Sequence, residues 1–469
     1  MSLPALKLRV EAKELSPFAS LLQDSGYNEE SICRLLGISD LSLLNGSKLA
    51  EYVRTCGEES SKLASLVKLF LLGEGVSRRD ASQLLGRELL STLTLCGLLF
   101  RSSGSIFCHA VVYPRGEQFI VTDYWVSKFH NEGKVYELGT DSYVLSRVTP
   151  RKGYKYALDL CTGSGVHAIQ SAAECLHSCA VDINPRALDY TLFNAALNSV
   201  TCHPHLGDLF QPLPEGSFDL ITANPPFVPS PDPEILVHRS AGETGEEVPE
   251  RLVAGLPKRL AEGGLYSMVL EYPVTMTETY LDRLERWLNQ THGWGIAVLS
   301  FGERSVNSYI ELHVTETENR EEMIKKYRES YQKQGIVSIE FANVFILRLP
   351  HASTNWKIKA ASVWPKESRA ESISEWLKAC STFLAPLWKP QDSWTPKLHK
   401  RFQQFSLDSG LLPLDKGWLV FEELSPTECR VLAALNGERS VANLGQALSI
   451  PGAELEAILR RLASRLIIE

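Results

Sequence analysis

The sequence predicts an α/β chain in which a doubly wound, largely parallel sheet is flanked by helical modules. Three observations carry this. Between about 126 and 350, short apolar runs ("KYALDL", "SCAVD", "FDLITA", "GLYSMVLEY") alternate with helical patterns such as "PRALDYTLFNAALN" and "EEVPERLVAGLPKRLAE". That alternation suits right-handed βαβ units covered on both faces. A glycine-rich turn follows the first run and acids end the next strands, while the regions on either side read as short amphipathic helices.

A chain of 469 residues exceeds one typical core. Residues 1–125 begin with helical periodicity ("PFASLLQDSGYNEESICRLLG", "SSKLASLVKLFLLG") and end in "GSIFCHAVVYPRGEQFIVTD", which alternates and breaks at Pro-Arg-Gly as a β-hairpin would. Helices followed by a hairpin predict a winged-helix-like module. The other reading is a helical cap on the neighbouring domain. Residues 126–350 hold the sheet, which "GIAVLSFG" and "GIVSIEFANVFILRLP" would close around a charged helical insert, "NREEMIKKYRESYQKQG".

Residues 351–404 connect onward and carry nine Lys and Arg against four Asp and Glu, a local balance of +5. Five of the nine tryptophans fall here: Trp356, Trp364, Trp376, Trp388 and Trp394. They could stack bases beside phosphate-neutralising cations, or anchor a core. Residues 405–469 hold three short amphipathic helices, a second winged-helix-like module.

Composition is that of an ordinary globular protein, 44% apolar and 22% charged. A net charge of −8 argues against a uniformly basic surface but leaves room for a basic patch. Ten cysteines in so long a chain suggest a reducing, cytoplasmic compartment rather than a disulfide scaffold. No signal peptide, transit peptide or membrane span is read, so no membrane partner is expected. Cys175, Cys179, Cys202, His203 and His205 crowd one window, but buried thiols are expected there rather than a metal.

"ALDLCTGSGVHAIQSA" places Asp159 in an apolar strand, then Thr162 and a turn whose Gly163 and Gly165 allow positive φ and close approach of a ligand, then a helix with free amides. Asp182 ends the next strand 17 residues after Gly165, where a carboxylate suits ribose hydroxyls or a helix cap. Ile183 follows it. Asp208, after a third strand, could accept from an adenine amine or cap a turn. Ala168 satisfies the small third position of a dinucleotide fingerprint, so the turn alone admits NAD. Asn224-Pro225-Pro226-Phe227 after the fourth strand decides against hydride transfer, which has no use for it.

"LDLCTGSG", "AVDINPRAL", "GDLF" and "ITANPPF", in this order, resemble class I S-adenosylmethionine-dependent methyltransferases of the small-domain branch with an Asn-Pro-Pro-Phe motif. That branch includes release-factor glutamine methyltransferases and RNA guanine and adenine amino-methyltransferases. The resemblance covers residues 126–350, about half the chain. It implies a Rossmann-like sheet, S-adenosyl-L-methionine as cofactor, and a cofactor site of Asp159, Thr162, Gly163, Gly165, Asp182, Ile183, Asp208 and Asn224. Cys161 stands where many members have glycine. The segment "VYELGTDSYVLSRV" matches one that closes over the cofactor in relatives. It carries Thr140 and Asp141 where glutamine methyltransferases have a Pro-Arg-Pro-rich version.

The chemistry accounts for the prolines. An amide or aminopurine nitrogen is a poor nucleophile because its lone pair is delocalised. Two acceptors gripping the NH₂ favour a pyramidal nitrogen, and the Asn224 oxygen and Pro225 carbonyl supply them. Stiff prolines settle that orientation in advance, and Phe227 would stack on the planar group. Catalysis is therefore expected from Asn224, Pro225 and Phe227, with Pro226, Phe227 and Arg239 at the substrate. The favoured target is an exocyclic amine of RNA. Alternatives are a glutamine amide, in a protein that could be RNA-associated, and a non-catalytic cofactor-binding regulator acting on nucleic acid.

Overall fold

The computed structural model describes residues 5–124, 133–231, 241–314, 319–385, 388–399, 419–420 and 424–469. The chain forms two compact units, one of residues 1–146 with 151–226 and one of residues 147–150 with 227–469.

In the first unit, helices α1 (Ala12–Asp24), α2 (Glu29–Leu36), α3 (Leu49–Glu58), α4 (Lys62–Phe70), α5 (Arg78–Leu85) and α6 (Arg87–Leu95) come early. Strands β1 (Val76–Ser77), β2 (Leu99–Ser102) and β3 (Ser105–Cys108) form a three-stranded sheet in the order β1-β3-β2. The alternating stretch expected to be one hairpin is divided. Its start, β3, turns back onto β2 through Ser103 (φ 49°) and Gly104 (φ 82°). Two consecutive positive φ values match the twist of a two-residue hairpin turn. The remainder pairs as β4 (Ala110–Arg115) with β5 (Gln118–Asp123), turning at Gly116 (φ 60°). Pro114 is tolerated in β4 because that sheet has two strands only.

Helix α7 (Thr140–Val148) then leads to the alternating region: β6 (Tyr156–Leu160), α8 (Val166–Glu174), β7 (His177–Asp182), α9 (Pro185–Leu197), β8 (His203–Leu206) and β9 (Phe218–Ala223). The strands lie in the order β9-β6-β7-β8 and all pair in parallel. Leu158 and Leu160 of β6 are buried, as are Leu220 and Ile221 of β9; such continuous apolar runs belong to strands covered on both faces. Asn184 caps α9 by accepting from the Arg186 amide, and Pro185 fits the first turn, where no amide hydrogen is needed.

In the second unit, α10 (Glu247–Arg259) precedes long β10 (Leu260–Thr275). There follow α11 (Tyr280–Leu288), β11 (Trp294–Ser305), α12 (Val306–His313), α13 (Arg320–Lys333), β12 (Ile336–Arg348), β13 (Trp356–Ser362), α14 (Ala370–Phe383), β14 (Leu419–Val420), α15 (Pro426–Ala434), α16 (Val441–Leu448) and α17 (Gly452–Ser464). The order here is β14-β13-β11-β12-β10. Strand β12 is antiparallel to both neighbours, and β13 runs parallel to β11, so the basic, tryptophan-rich stretch adds a strand to this sheet. Its tryptophans pack. Trp376 is fully buried, Trp364 stacks on Phe341 at 5.4 Å, and Trp388 and Trp394 lie against Phe383. No helix among the described residues is long and apolar enough to cross a membrane.

Candidate active site

Strand register brings the C-terminal ends of β6 to β9 to one edge. Leu160 pairs with both Ala223 and Val181, and Asp182 pairs with Leu206. The chain steps from β6 to β7 to β8 and then returns to β9 on the other side of β6. Where strand order reverses in this way, a crevice opens beyond the strand ends and ligands bind there. Cys161 leaves β6 and Asn224 leaves β9 on either side of that point.

The turn after β6 is fixed from below. Asp159 is buried, and its carboxylate accepts from Thr162 Oγ1 at 2.6 Å and Thr222 Oγ1 at 2.7 Å. Burial pushes its pKa up to about 6 against the pull of these bonds. These bonds tie the turn to Thr222 of β9. Thr162 donates its amide to Val181 O at 3.1 Å, and Gly165 donates back to Thr162 O at 2.8 Å. Cys161 adopts φ 57°, Gly163 φ 52° and Gly165 φ 83°. A left-handed residue with a side chain costs about 1–2 kcal/mol, so glycine would sit at position 161 with less strain than Cys161.

Asp182 is bound to this turn. Its Oδ2 accepts from Gly163 N at 2.8 Å and its Oδ1 from Asn184 N at 2.9 Å. Burial raises its pKa, with the amide bonds acting in the opposite direction. Beside it Ile183 is 66% exposed, an unusual state for isoleucine. Half-buried Asp208 follows β8, and the Gln211 amide returns to its carbonyl.

Asn224 is half-buried, and its amide is held from α7. Its Nδ2 donates to Asp141 Oδ2 at 2.9 Å and to Ser142 Oγ at 3.4 Å. Its Oδ1 accepts no hydrogen bond from the described residues. Pro225 is buried and Pro226 half-buried. In the second unit, half-buried Phe227 begins a stretch against which the glycine-rich loop folds. Ser230 N donates to Gly242 O at 3.0 Å, and a Cβ on Gly245 would sit 2.3 Å from Phe227 O. Tyr331 of α13 donates to Pro229 O at 2.9 Å. Arg239 lies outside the described residues.

Sequence reasoning noted Asp141 only as a departure from a motif. An acid in the first turn of a helix reads as a dipole partner, and only the β9–α7 geometry reveals its contact with Asn224. Cys175 ends α8, Cys179 lies in β7 and Cys202 precedes β8. Among the described residues no cluster of three or more His, Cys, Asp or Glu could hold a metal ion.

The first unit's groups fit an adenosyl cofactor. A Cβ at Gly163 would meet nothing within 4 Å, so the turn presents open backbone. Beside it stand the half-buried carboxylate of Asp182 and the exposed apolar side chain of Ile183. The sequence matches the Methyltransferase small domain over residues 136–296. It is 30% identical over 164 residues to a putative protein N5-glutamine methyltransferase of Methanocaldococcus jannaschii, covering 34% of this chain and 81% of that one. A release factor glutamine methyltransferase of Thermodesulfovibrio yellowstonii is 36% identical over 122 residues, covering 23% of this chain and 43% of that one. A solved methyltransferase from Pyrococcus furiosus is 15% identical with a TM-score of 0.30, covering 49% of this chain and 90% of that one. Strand order, glycine turn and relatives lead to one conclusion: this Rossmann-like chain belongs to the methyltransferase small-domain family and is an enzyme that uses S-adenosylmethionine.

Proposed function

We propose that the chain methylates the side-chain amide of a glutamine in a protein substrate, with Asn224 gripping the acceptor nitrogen. The observation carrying the grip is the place of Asn224: it leaves β9 beside the glycine turn, with its amide oxygen uncommitted. S-adenosylmethionine, when bound, supplies an electrophilic methyl on a sulfonium. Asn224 Oδ1 accepts one hydrogen of the acceptor NH₂ and the Pro225 carbonyl the other. Pro225 and Pro226 keep the Pro225 carbonyl and the backbone that carries Asn224 in place, so little orientational freedom is lost at reaction. Phe227, next in the chain, supplies an aromatic face for the planar group. The methylated nitrogen then gives a proton to water, so no strong base is required.

Gly163, Asp182, Ile183 and Asp208 would hold the cofactor, with Asp159 and Thr162 setting the turn. Two considerations favour glutamine over an RNA amine. The relatives named above are described as glutamine methyltransferases. The tryptophans that pointed toward base stacking are engaged in packing. An RNA-associated protein as substrate is compatible with this reading. Family membership removes the non-catalytic regulator. Helices α4 to α6 with the β2–β3 hairpin support a winged-helix-like N-terminal module, and α15 to α17 a second at the C-terminus. Cysteines without disulfides support a cytoplasmic setting.

The test is methyl-labelled S-adenosylmethionine with cell extract. Label should enter protein, survive ribonuclease, and appear as N-methylglutamine after proteolytic digestion. Asn224→Ala should slow transfer at least 100-fold while cofactor affinity changes little. Ribonuclease-sensitive label would replace glutamine by an RNA amine.

A further inference from the structure

An asparagine amide has a weakness as a grip. Rotating it by about 180° exchanges its oxygen and its NH₂ at little steric cost, because this terminal torsion is broad and roughly two-fold. One orientation presents an acceptor to the substrate NH₂. The other presents a donor to a donor and repels it. The proline pair fixes the backbone of the motif but says nothing about which end of the Asn224 side chain faces out.

We propose that Asp141 is the positioning residue that decides this orientation, a proposal that rests on the reading of Asn224 above. An ionised carboxylate accepts hydrogen bonds and donates none, so it can face only the Nδ2 end of the amide. Asp141 Oδ2 stands 2.9 Å from Asn224 Nδ2. The Ser142 hydroxyl stands 3.4 Å from the same nitrogen, and takes either role, so it supports the arrangement without selecting it. Both α7 residues are buried, 7% exposed for Asp141 and 5% for Ser142. Away from water, a charged acceptor discriminates more strongly between donor and acceptor ends. With both Nδ2 hydrogens committed to α7, the carbonyl oxygen is what remains for the substrate.

The approach to α7 is shaped for this carboxylate. A Cβ at Gly139 would lie 2.6 Å from Asp141 Oδ1 and 3.0 Å from the Tyr136 hydroxyl, so a side chain there would displace the carboxylate. The Tyr143 amide donates to the Gly139 carbonyl at 3.1 Å, starting the helix at that point. Gly139 and Asp141 thus form one unit behind Asn224.

The experiment compares full-length wild type with Asp141→Asn, Asp141→Ala, Asn224→Ala and the double variant Asp141→Ala/Asn224→Ala. Initial rates of label transfer are measured over a range of extract protein, and cofactor affinity by calorimetry. Asp141→Asn keeps shape but can donate to either end of the Asn224 amide. It should lower the maximal rate 10- to 100-fold, with less than a threefold change in cofactor affinity. The double variant should be no slower than Asn224→Ala, because the proposed effect of Asp141 on the reaction passes through that residue. An Asp141→Asn rate within twofold of wild type overturns the proposal, as does a double variant slower by the product of both single effects. If Asn224→Ala is as fast as wild type, the grip itself fails; if it is inactive while Asp141→Asn is unaffected, only the positioning role fails. A second readout needs no turnover. In protein labelled with ¹⁵N-asparagine, the Asn224 NH₂ pair, identified by its loss in Asn224→Ala, should move on Asp141→Asn, and an unmoved pair overturns the proposal.

Discussion

Gly163 and Gly165 stand two positions apart in one turn and are glycine for different reasons. At Gly165, φ is 83° and a Cβ would lie 2.8–3.1 Å from Thr191, partly against its backbone. Gly165→Ala should therefore cost folding stability, about 2 kcal/mol or more once left-handed strain and the clash combine, read as a lower urea midpoint. At Gly163, φ is 52° and the space is open. Gly163→Ala should fold with a loss of about 1 kcal/mol, yet weaken S-adenosylmethionine binding at least tenfold by calorimetry, because the methyl enters space proposed for the ligand. Equal effects of the two on stability, with none on binding, would contradict this division. Glycines, strand-tip carboxylates and Asn224 are legible in a sequence because their spacing from apolar runs places them at strand ends. Asp141 is not, because its partner lies 83 positions away, and no local period encodes which strand end a preceding helix will meet.

Elements show the same division between local and distant causes. The βαβ region is legible because apolar runs and helix caps are local, as with Asn184 and Pro185 opening α9. The separate β2–β3 hairpin is not, because its Ser103-Gly104 turn is short and the alternation runs on past it into β4. That β13 joins β11 is hidden as well, since its basic, tryptophan-rich composition resembles a linker. What ties β5 to α9 is also non-local. Asp123 accepts two bonds from Arg186, at 2.7 and 2.8 Å, and one from Tyr190 at 2.5 Å, with its side chain 2% exposed. Asp123→Ala leaves Arg186 with the Gly133 carbonyl but without its charged partner and should cost about 3 kcal/mol in urea unfolding; a loss below 0.5 kcal/mol would mean that the pair only offsets its own desolvation. For comparison, Ser425 caps α15 in a reciprocal box with Glu428, and Ser425→Ala should cost only about 1 kcal/mol.

At the scale of the molecule, the formal charge of −8 predicts little about stability against pH, because buried groups with shifted pKa values dominate. His109 is 1% exposed and His167 2% exposed, and neither His167 ring nitrogen has a hydrogen-bond partner among the described residues. Burial lowers the pKa of His109 to about 4 and drives that of His167 well below 6.5. Unfolded histidine takes up a proton near pH 6.5 while these two refuse it. Their stability is therefore present above pH 6.5 and is lost as pH falls, by about 3 kcal/mol for His109 alone on reaching pH 4. Asp159 acts with the opposite sign. Its pKa is raised to about 6, so the cost of ionising it disappears as pH falls from 6 toward its unfolded value, a gain of about 3 kcal/mol. Asp182, whose pKa burial also raises, and Glu246 in the second unit, raised to about 7, act with the same sign as Asp159, so histidines and acids oppose each other on acidification. The urea midpoint of wild type should thus change little between pH 7 and pH 5. His109→Gln/His167→Gln removes both proton-refusing groups while Asp159 remains. Whatever its absolute stability, the double variant should gain on acidification, with a midpoint at pH 5 above that at pH 7, and a midpoint that is flat or falls in it would overturn this balance.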